Sequence, residues 1–217
     1  MGANSSYKVM CDIVERAKEG ARFIHNDFTT CGTPDAKESC IAIRRADIED
    51  ISLIHNMADI VFRATYNEIL TPQQIEYMME WMYSLPSLRS QMTKEGHIYF
   101  IAENRETSSP CGYVSVQKEE PDNMREDEEP NLTICHLQKI YVMPGWQGYG
   151  VGVKLFNTIV EYVKNNYPSP QRIILNVNRH NRAVHFYEKM GMTKLREGDF
   201  PIGNGYFMND YIMGLDL

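Results

Sequence analysis

The chain has 217 residues, of which 43% are hydrophobic and 24% are charged, and its formal net charge is −7. These proportions are ordinary for a soluble globular protein, and no apolar run approaches the roughly eighteen residues that cross a bilayer. Residues 1–30 lack the pattern of a secretory signal, and the five irregularly spaced cysteines without a CxxC pair suggest neither a zinc site nor disulfides. We therefore expect a cytoplasmic protein without a bound metal or a membrane partner.

Most of the negative charge lies in one segment. Residues 119–129 carry seven acidic residues and one arginine, a net charge of −6, which leaves −1 for the rest of the chain. A solvated loop is the favoured interpretation, and a segment that concentrates cationic substrates is the alternative. No basic patch and no base-reading motif is present, so the sequence gives no support to nucleic-acid binding.

The chain is predicted to begin with an extension and then a single main domain. Residues 1–39 form the extension, with a helix around residues 7–24 and a linker after it. The domain spans residues 40–217 and opens with a strand at 41–44. Asp47 suits the N-cap of the next helix, because its carboxylate can accept hydrogen bonds from unpaired amides of the first turn. The apolar positions of that helix recur at helical spacing: Ile51, Ile54, Met57, Ala58 and Val61.

A second helix is predicted to begin after Thr71. Threonine suits the N-cap, Pro72 suits the first helical position, and Gln74 completes a capping box. The helix is expected to run towards Pro86 with methionines and aromatic residues on one face. We expect that face to be core, although methionine also adapts to variable apolar ligands.

The rest of the chain alternates between strand and helix patterns. Strands are predicted at residues 97–103, 111–118, 132–142 and 173–177, with closing strands at 192–199 and 206–215. A helix with one apolar stripe follows the glycine-rich turn near residue 150, and another helix is predicted at 181–190.

That glycine-rich turn, between a strand and a helix, is the most informative segment. Gln147, Gly150 and Gly152 form a Q-x-x-G-x-G pattern in it. The turn suits a pyrophosphate, because unpaired amides and the helix dipole favour an anion and glycine permits close approach. The spacing fits neither the dinucleotide fingerprint nor the P-loop. A turn whose glycines serve only packing is the alternative.

A second motif follows about thirty residues later. Residues 181–191 read Asn-Arg-Ala-Val-His-Phe-Tyr-Glu-Lys-Met-Gly. Together with the glycine turn, this segment resembles the GNAT superfamily of acetyl-CoA-dependent N-acetyltransferases. The matching positions are Gln147, Gly150, Gly152, Ala183, Phe186, Tyr187, Lys189 and Gly191. Asn181 stands two residues before Ala183, whereas the commonest family form has a spacing of three.

The resemblance implies a fold of the α/β (α+β) class, the GNAT fold. Its mixed central sheet has six to seven strands, is flanked by about four helices, and is splayed where acetyl-CoA binds. The predicted order of elements agrees with it: strand, two helices, three strands, helix, strand, helix, two strands. A homodimer is a further expectation that rests on the resemblance alone.

The resemblance also implies which residues bind acetyl-CoA. The phosphates would contact the backbone amides of Gln147, Gly148, Tyr149, Gly150, Val151 and Gly152. The pantetheine arm would pair with a strand edge at Ile140, Tyr141 and Val142, and the Val142 amide would polarise the thioester carbonyl. Asn181 and Lys189 are further candidates, although a helix cap and a solvated cation also explain these residues.

Proton transfer requires an acid and a base. The resemblance implies that Tyr187 is the general acid for the departing thiolate, since a phenol with a pKa of about 10 is protonated at neutral pH. An aromatic residue that only packs is the alternative. The family motif does not fix the base that deprotonates the acceptor ammonium, and the candidates are His136 and Glu68, each also explained by a purely structural role.

Two further segments indicate the acceptor. Residues 66–71 and 202–211 resemble bacterial spermidine/spermine N-acetyltransferases, which implies a polyamine substrate. Carboxylates, amides and aromatic faces along a cleft would bind it, and the candidates are Tyr66, Glu68, Tyr206, Asn209 and Asp210. Alternatively, residues 203–205 are only a tight turn and Asp210 lies at a solvent edge. Acetylation of a protein N-terminus or lysine, or of a small amine or antibiotic, and non-catalytic acetyl-CoA binding are the alternative functions.

Overall fold

The computed structural model describes residues 40–119, 132–169 and 171–217. The predicted extension 1–39 with its helix, and all but the first residue of the acidic segment 119–129, lie outside these ranges. The described residues form one seven-stranded sheet. Its strands are β1 (Ile41–Arg45), β2 (Ile98–Asn104), β3 (Pro110–Lys118), β4 (Thr133–Val142), β5 (Gln171–Asn178), β6 (Thr193–Gly203) and β7 (Tyr206–Asp216).

The sheet is mixed, as predicted. The strands lie in the order β1-β2-β3-β4-β5-β7-β6. All neighbouring strands are antiparallel except β4 and β5, which are parallel. A parallel pair needs a long crossover, and the helix that follows the glycine-rich turn lies in that connection.

Five helices accompany the sheet in the described residues. They are α1 (Ile51–Tyr66), α2 (Pro72–Tyr83), α3 (Leu85–Thr93), α4 (Val151–Asn166) and α5 (Val184–Lys189). Short 3-10 turns at Ile48–Asp50 and Pro144–Trp146 precede α1 and α4. None of these five helices combines the length and the apolar character that crossing a bilayer requires.

A separate hydrophobic core lies on each face of the sheet. On one face, the predicted apolar stripe of α4 is buried against residues of β3, β4 and β5: Val151, Leu155, Ile159 and Val163. On the other face, α1, α2 and α3 pack over β2 and β3. Met78 and Met79 of α2 are buried in this second core. The methionine face of α2 is therefore core, which was the favoured interpretation.

The starts of the first two helices follow the predicted caps with one difference. Asp47 forms a capping box with Asp50, and the 3-10 turn leads directly into α1. Thr71 caps α2 by accepting a hydrogen bond from the Gln74 amide at 3.2 Å. The Gln74 side chain, however, donates to the Phe207 carbonyl at 3.2 Å. The predicted capping box of α2 is therefore only half formed, because Gln74 links α2 to β7 instead.

Helix α3 is absent from the sequence prediction, which took Pro86 as the end of the second helix. The chain turns at Ser84, and Pro86 occupies the first turn of α3. Proline is tolerated there because the amides of a first helical turn have no intrahelical acceptor. Leu88 and Gln91 of α3 are buried. The described residues thus contain five helices, where about four were expected around the sheet.

The sheet opens between β4 and β5. Thr133–His136 of β4 pair with residues 171–174 of β5, and no pair between the two strands follows among the described residues. The rest of β4 pairs only with β3, with Gln138 as the extra residue of a β-bulge opposite Ser115 and Val116. Meanwhile β5 continues beside β7 as far as Asn178. The predicted splay is confirmed.

Gly112 fixes how closely β3 approaches the splayed part of β4. It lies opposite Val142 in the strand register. A Cβ atom on Gly112 would lie 2.4 Å from the Tyr141 carbonyl oxygen and 3.2 Å from Val142 Cα. Only glycine fits at this distance, so the position of the Val142 amide depends on Gly112.

Candidate active site

A cleft of about 760 Å³ occupies the splayed part of the sheet. Its walls are the C-terminal end of α1 with the loop after it, the open edge of β4, the end of β5, and the loop from β5 into α5. Seven of the predicted cofactor residues line it: Ile140, Tyr141, Val142, Gln147, Gly152, Asn181 and Tyr187. The cleft therefore brings the two sequence motifs together on opposite sides of the splay.

The open edge of β4 presents backbone groups to the cleft. The Met143 amide donates to the Cys111 carbonyl of the β3 side at 2.9 Å. Because the amides of successive strand residues point to opposite sides, those of Ile140 and Val142 point away from β3 and towards β5. Both residues line the cleft, where β5 has already diverged. An amide-containing chain laid in the cleft can pair with them as an added strand would.

The glycine-rich turn presents a second set of amides. Gly148 and Gly150 have φ of +82° and +74°, in the left-handed region that favours glycine. Gly150 is the N-cap of α4, and no side chain among the described residues caps this helix start. The first amides of α4 therefore lie at the positive end of the helix dipole and have no side-chain acceptor within the described ranges. The Tyr149 ring lies beside the Trp146 ring. The Val151 side chain is buried, so Val151 can contact a ligand at this turn only through its backbone amide.

The structure thus contains groups that fit both ends of acetyl-CoA. The turn into α4 suits its phosphates, and the β4 edge suits its peptide-like arm. Gly152 lies between them, and the nearest groups to a Cβ placed there would be the Phe186 ring at 3.5 Å and Val142 Cγ2 at 3.7 Å. A larger side chain at Gly152 would extend into the cleft that it lines.

Tyr187 lies at the side of the cleft opposite the β4 edge. It is on α5 and is only 8% exposed. Burial raises the pKa of its phenol above the ordinary value, and the neighbouring Tyr66 adds to this rise. A raised pKa keeps Tyr187 protonated throughout the neutral range, which a proton donor requires.

Asn181 shapes the turn that leads into α5. Its Oδ1 accepts a hydrogen bond from the Ala183 amide at 2.9 Å, which explains a spacing of two residues between them. The helix itself begins one residue later, at Val184. Asn181 also lines the cleft, and its side chain interacts with the Tyr66 hydroxyl. It therefore organises the cleft wall as well as the helix start.

Tyr66 connects α1 to the interior of the cleft. It lines the cleft at the C-terminal end of α1 and is almost completely buried. Burial raises the pKa of its hydroxyl, while interactions with Tyr141 and Asn181 oppose that rise. The carboxylate of Asp210, which is outside the cleft lining, also raises the pKa of Tyr66.

Asp210 of β7 is buried rather than placed at a solvent edge. It is 3% exposed, and its Oδ1 has no hydrogen-bond partner among the described residues. Burial raises its pKa to about 6, although a hydrogen bond from Asn176 and the charge of Arg179 oppose the rise. The solvent-edge interpretation of Asp210 is therefore wrong.

The other predicted residues of β7 lie elsewhere. Asn209 projects from the opposite face to its neighbour Asp210, and its amide donates to Asp199 at 2.8 Å. Tyr206 packs against Tyr77 of α2 with ring centroids 5.5 Å apart, and neither Asn209 nor Tyr206 is among the residues that line the cleft. The tight turn expected at residues 203–205 is present, with positive φ at all three residues.

The two candidate bases are in different surroundings. Glu68 is exposed in the loop after α1 and lines the cleft. His136 is on the part of β4 that is still paired with β5, and its Nδ1 lies 2.9 Å from Glu119 Oε1. The structure brings Glu68 to the cleft but not His136, because the sheet is closed at His136. Lys189 is exposed at the end of α5 and also lies outside the cleft lining.

Sequence inspection missed three cationic or titratable residues of the cleft. His180 and Arg182 flank Asn181 in the loop into α5 and line the cleft. Their position directly beside the second motif was an available signal. Lys139 also lines the cleft, and a lysine within a mostly buried strand was the available sign of it.

Lys139 is a buried lysine, and no carboxylate of the described residues forms an ion pair with it. It is 6% exposed, and its Nζ donates to Gln91 Oε1 at 2.9 Å. The Tyr83 and Tyr99 rings lie 5.6 Å and 5.7 Å from the same nitrogen. Burial lowers its pKa to about 7, and only the more distant charge of Glu95 acts in the other direction.

Several solved structures share this fold. PaiA N-acetyltransferase from Thermoplasma acidophilum, in complex with coenzyme A, has a TM-score of 0.61 and 20% identity over 82% of this chain and 99% of its own. NAA60 of Arabidopsis thaliana with acetyl-CoA has a TM-score of 0.59 and 17% identity over 82% and 98%. Spermidine/spermine N-acetyltransferase SpeG from Vibrio cholerae has a TM-score of 0.53 and 18% identity, over 83% of this chain and 94% of its own.

The family follows from the sequence as well as the fold. The sequence model of the acetyltransferase (GNAT) family matches residues 62–192, more than half of the chain, and this range holds both motifs and most of the cleft. The splayed edge, the uncapped start of α4 and the buried Tyr187 all lie within it. The chain therefore belongs to the GNAT family, and it is an acyltransferase that uses acetyl-CoA to acetylate an amine.

Proposed function

We propose that the acceptor is a primary amine of a polyamine such as spermidine or spermine. Direct attack of the amine on the acetyl group would be assisted by Tyr187 as general acid. The observation that carries the proposal is the position of two carboxylates on the acceptor side. Glu68 lines the cleft after the end of α1, and the buried Asp210 carboxylate acts electrostatically on Tyr66, which also lines it.

The charges around the cleft support this arrangement. His180 and Arg182 lie on the wall formed by the loop into α5, whereas Glu68 lies on the wall formed by the loop after α1. Phosphates favour positively charged surroundings and ammonium groups favour negatively charged ones. His180 and Arg182 therefore suit the phosphates of acetyl-CoA, and the carboxylates suit the acceptor amine. A polyamine carries several ammonium groups, and two carboxylates at different depths can bind two of them.

The chain's own groups can also stabilise the reaction. Acetyl-CoA supplies the acetyl group as a thioester. The Val142 amide points into the splay, where it can donate to a carbonyl oxygen that gains negative charge, a contact worth about 3–4 kcal/mol of barrier. Tyr187 holds the proton that the departing sulfur needs. Tyr66 and Tyr141 add aromatic surface beside the acceptor, where cation–π contact favours an ammonium.

The similarity to SpeG from Vibrio cholerae, a spermidine/spermine N-acetyltransferase, is consistent with this substrate but shows only the fold at 18% identity. The similarity to NAA60 from Arabidopsis thaliana, also solved with a bisubstrate analogue, is of the same order. Peptide α-amines, the alternative acceptor expected from the sequence, are the second candidate and form a separate arm of the test.

The test is release of free thiol from acetyl-CoA in the presence of an acceptor panel. The panel contains spermidine, spermine, small monoamines, an aminoglycoside and peptides with free N-termini. We expect selective turnover of spermidine or spermine. Turnover of peptides alone would replace the polyamine by a protein acceptor, and failure with every amine despite acetyl-CoA binding would contradict the proposal.

Glu68→Gln separates charge recognition from general damage. Loss of about 1 kcal/mol of attraction should raise KM for spermidine about fivefold. KM for acetyl-CoA should not change. Glu80→Gln is the matched control, since Glu80 is an exposed carboxylate of α2 outside the cleft lining. Equal effects of the two substitutions would show that Glu68 does not bind the acceptor.

A further inference from the structure

We propose that Asp210 accepts the proton that the acceptor ammonium must lose before it attacks. This inference rests on the proposed function, because it assigns the base for an amine acceptor in the same cleft. A primary alkylamine with a pKa of about 10 is almost wholly protonated at pH 7. Its nitrogen has no lone pair for attack until a group in the site takes one proton.

The geometry favours Asp210 over the two bases expected from the sequence. His136 lies where β4 is still paired with β5, and its ring is beside Glu119. Glu68 is exposed in the loop after α1, where no protein group fixes the position of its carboxylate among the described residues. Asp210 is buried and does not itself line the cleft, but it lies diagonally across the β5–β7 pair from Asn176, which does.

The strand register shows how Asp210 reaches the cleft. It lies opposite Asn178 of β5 and Gly198 of β6. Successive side chains of a strand point to opposite faces, so Asn176 and Asn178 share one face of β5. Asp210 lies opposite Asn178 and therefore projects from that same face of the sheet. Asn176 is exposed, lines the cleft and hydrogen-bonds to the Asp210 carboxylate. Asp210 therefore lies just beneath the floor of the cleft, next to Asn176.

One oxygen of this buried carboxylate receives no hydrogen bond from the described residues. Oδ1 of Asp210 is buried and has no hydrogen-bond partner in the described parts of the chain. A buried carboxylate oxygen without a donor is unfavourable, and buried polar atoms are nearly always hydrogen-bonded. An N–H of the acceptor ammonium, or one water molecule between the two, would supply the missing donor and is also the route by which the proton transfers.

The surrounding charges keep Asp210 ionised at neutral pH while raising its affinity for a proton. Burial raises its pKa to about 6, and Arg179 limits the rise. Tyr66 faces it from α1, and Arg196 of β6 lies on the same sheet face opposite Ile212. Below pH 6 the carboxylate would be protonated and unable to act, whereas above pH 6 it is a stronger base than a solvated aspartate.

The proton balance of the reaction is complete with Asp210 and Tyr187. Asp210 takes one proton from the ammonium, and the freed lone pair forms the new C–N bond at the acetyl carbon. The C–S bond breaks, and Tyr187 gives its proton to the sulfur. The second proton that leaves the nitrogen restores Tyr187, and Asp210 releases its proton to solvent.

The experiment compares two acceptors on the Asp210→Asn enzyme. One is spermidine, and the other is a primary amine whose pKa lies well below 7 and which is therefore already neutral. We expect kcat/KM at pH 7.5 to fall about a hundredfold or more with spermidine, as is typical for loss of a general base. With the neutral amine we expect no comparable loss. Calorimetry should show unchanged acetyl-CoA affinity.

Two further measurements separate a chemical role from a structural one. In the wild type, kcat/KM for spermidine should rise through pH 6, and this limb should be missing in Asp210→Asn. In Arg179→Gln the rise of kcat/KM with pH should occur at a higher pH, because the substitution removes a positive charge that holds the pKa of Asp210 down. Asp216→Asn is the control, an exposed carboxylate at the far end of the same strand.

The contrary outcomes are distinct. Equal losses with spermidine and the neutral amine would show that Asp210 is structural and overturn the inference. A higher KM with an unchanged pH profile would show that Asp210 only binds the acceptor. If the wild-type enzyme acetylates neither amine, the proposed polyamine function itself fails, and the assignment of Asp210 fails with it.

Discussion

Replacing Lys139 by methionine should change how the stability of the protein depends on pH. Methionine has a similar length and no charge, so it can fill the same buried space. Gln91 Oε1 would lose one donor but would keep the hydrogen bond from the Tyr99 hydroxyl. The main effect should be removal of an amine whose pKa is about 7 in the folded protein and about 10.5 in the unfolded chain.

The sign follows from proton binding. Between pH 7 and pH 10.5 the unfolded chain holds a proton on Lys139 that the folded protein has largely released. Stability therefore rises with pH across this window, by up to about 1.4 kcal/mol per pH unit. Integrated from pH 7 to pH 9, the wild type should gain about 2 kcal/mol from this residue. Lys139→Met should lack that gain and should be more stable than the wild type at pH 7.

The assay is urea unfolding at pH 7, 8 and 9, without acetyl-CoA. The difference between variant and wild type is the relevant quantity, because Cys111 and Cys135 also titrate. Burial raises the pKa of each thiol to about 12, which lowers stability as pH increases, equally in both proteins. Lys164→Met, at an exposed position on α4, is the control. A stability difference between Lys139→Met and wild type that is the same at all three pH values would refute the reasoning.

Three other substitutions test the site and the fold around it. Tyr187→Phe should lower kcat about a hundredfold or more while acetyl-CoA still binds in calorimetry; an unchanged kcat would remove Tyr187 as the proton donor. Gly150→Ala should weaken acetyl-CoA binding severalfold and cost about 1 kcal/mol in urea unfolding, because φ is +74° there, whereas wild-type affinity would contradict a role for this turn. Gly112→Ala should cost about 1–3 kcal/mol, since its Cβ would lie 2.4 Å from the Tyr141 oxygen, and a melting temperature equal to that of the wild type would show that β3 can retreat from β4.

The sequence predicted those parts of the fold that depend on local patterns. All seven strands alternate or carry apolar runs, and the stripe of α4 has a clear helical period, so these elements were found with small errors at their ends. Helix α3 was missed because Pro86 was taken as a stop, whereas its place in the first turn makes it a start. Whether Pro86 ends one helix or begins another depends on the direction that the chain takes at Ser84. A local sequence pattern does not determine that direction.

The cofactor half of the candidate site was also predictable, because its residues lie in two contiguous motifs. The acceptor half was not. Asn209 and Asp210 are adjacent in sequence, yet strand alternation places one beside Asp199 and the other beneath the cleft. His136 and Lys139 are three residues apart on β4. Lys139 lines the cleft and His136 does not, because β5 diverges from β4 between them. Such distinctions depend on partners far along the chain.

The splay also divides the sheet mechanically. Strands β1–β4 form one hydrogen-bonded half and β5–β7 the other, and in the described residues only four parallel pairs between Thr133–His136 and residues 171–174 join them. A ligand that pairs with the β4 edge and also contacts the loop beyond β5 ties the halves together across the gap. Binding then raises the free energy needed to separate the two halves. At ligand concentrations above Kd, this increase grows with the logarithm of the ratio of ligand concentration to Kd. The rigidity of this enzyme is therefore set partly by how much acetyl-CoA surrounds it.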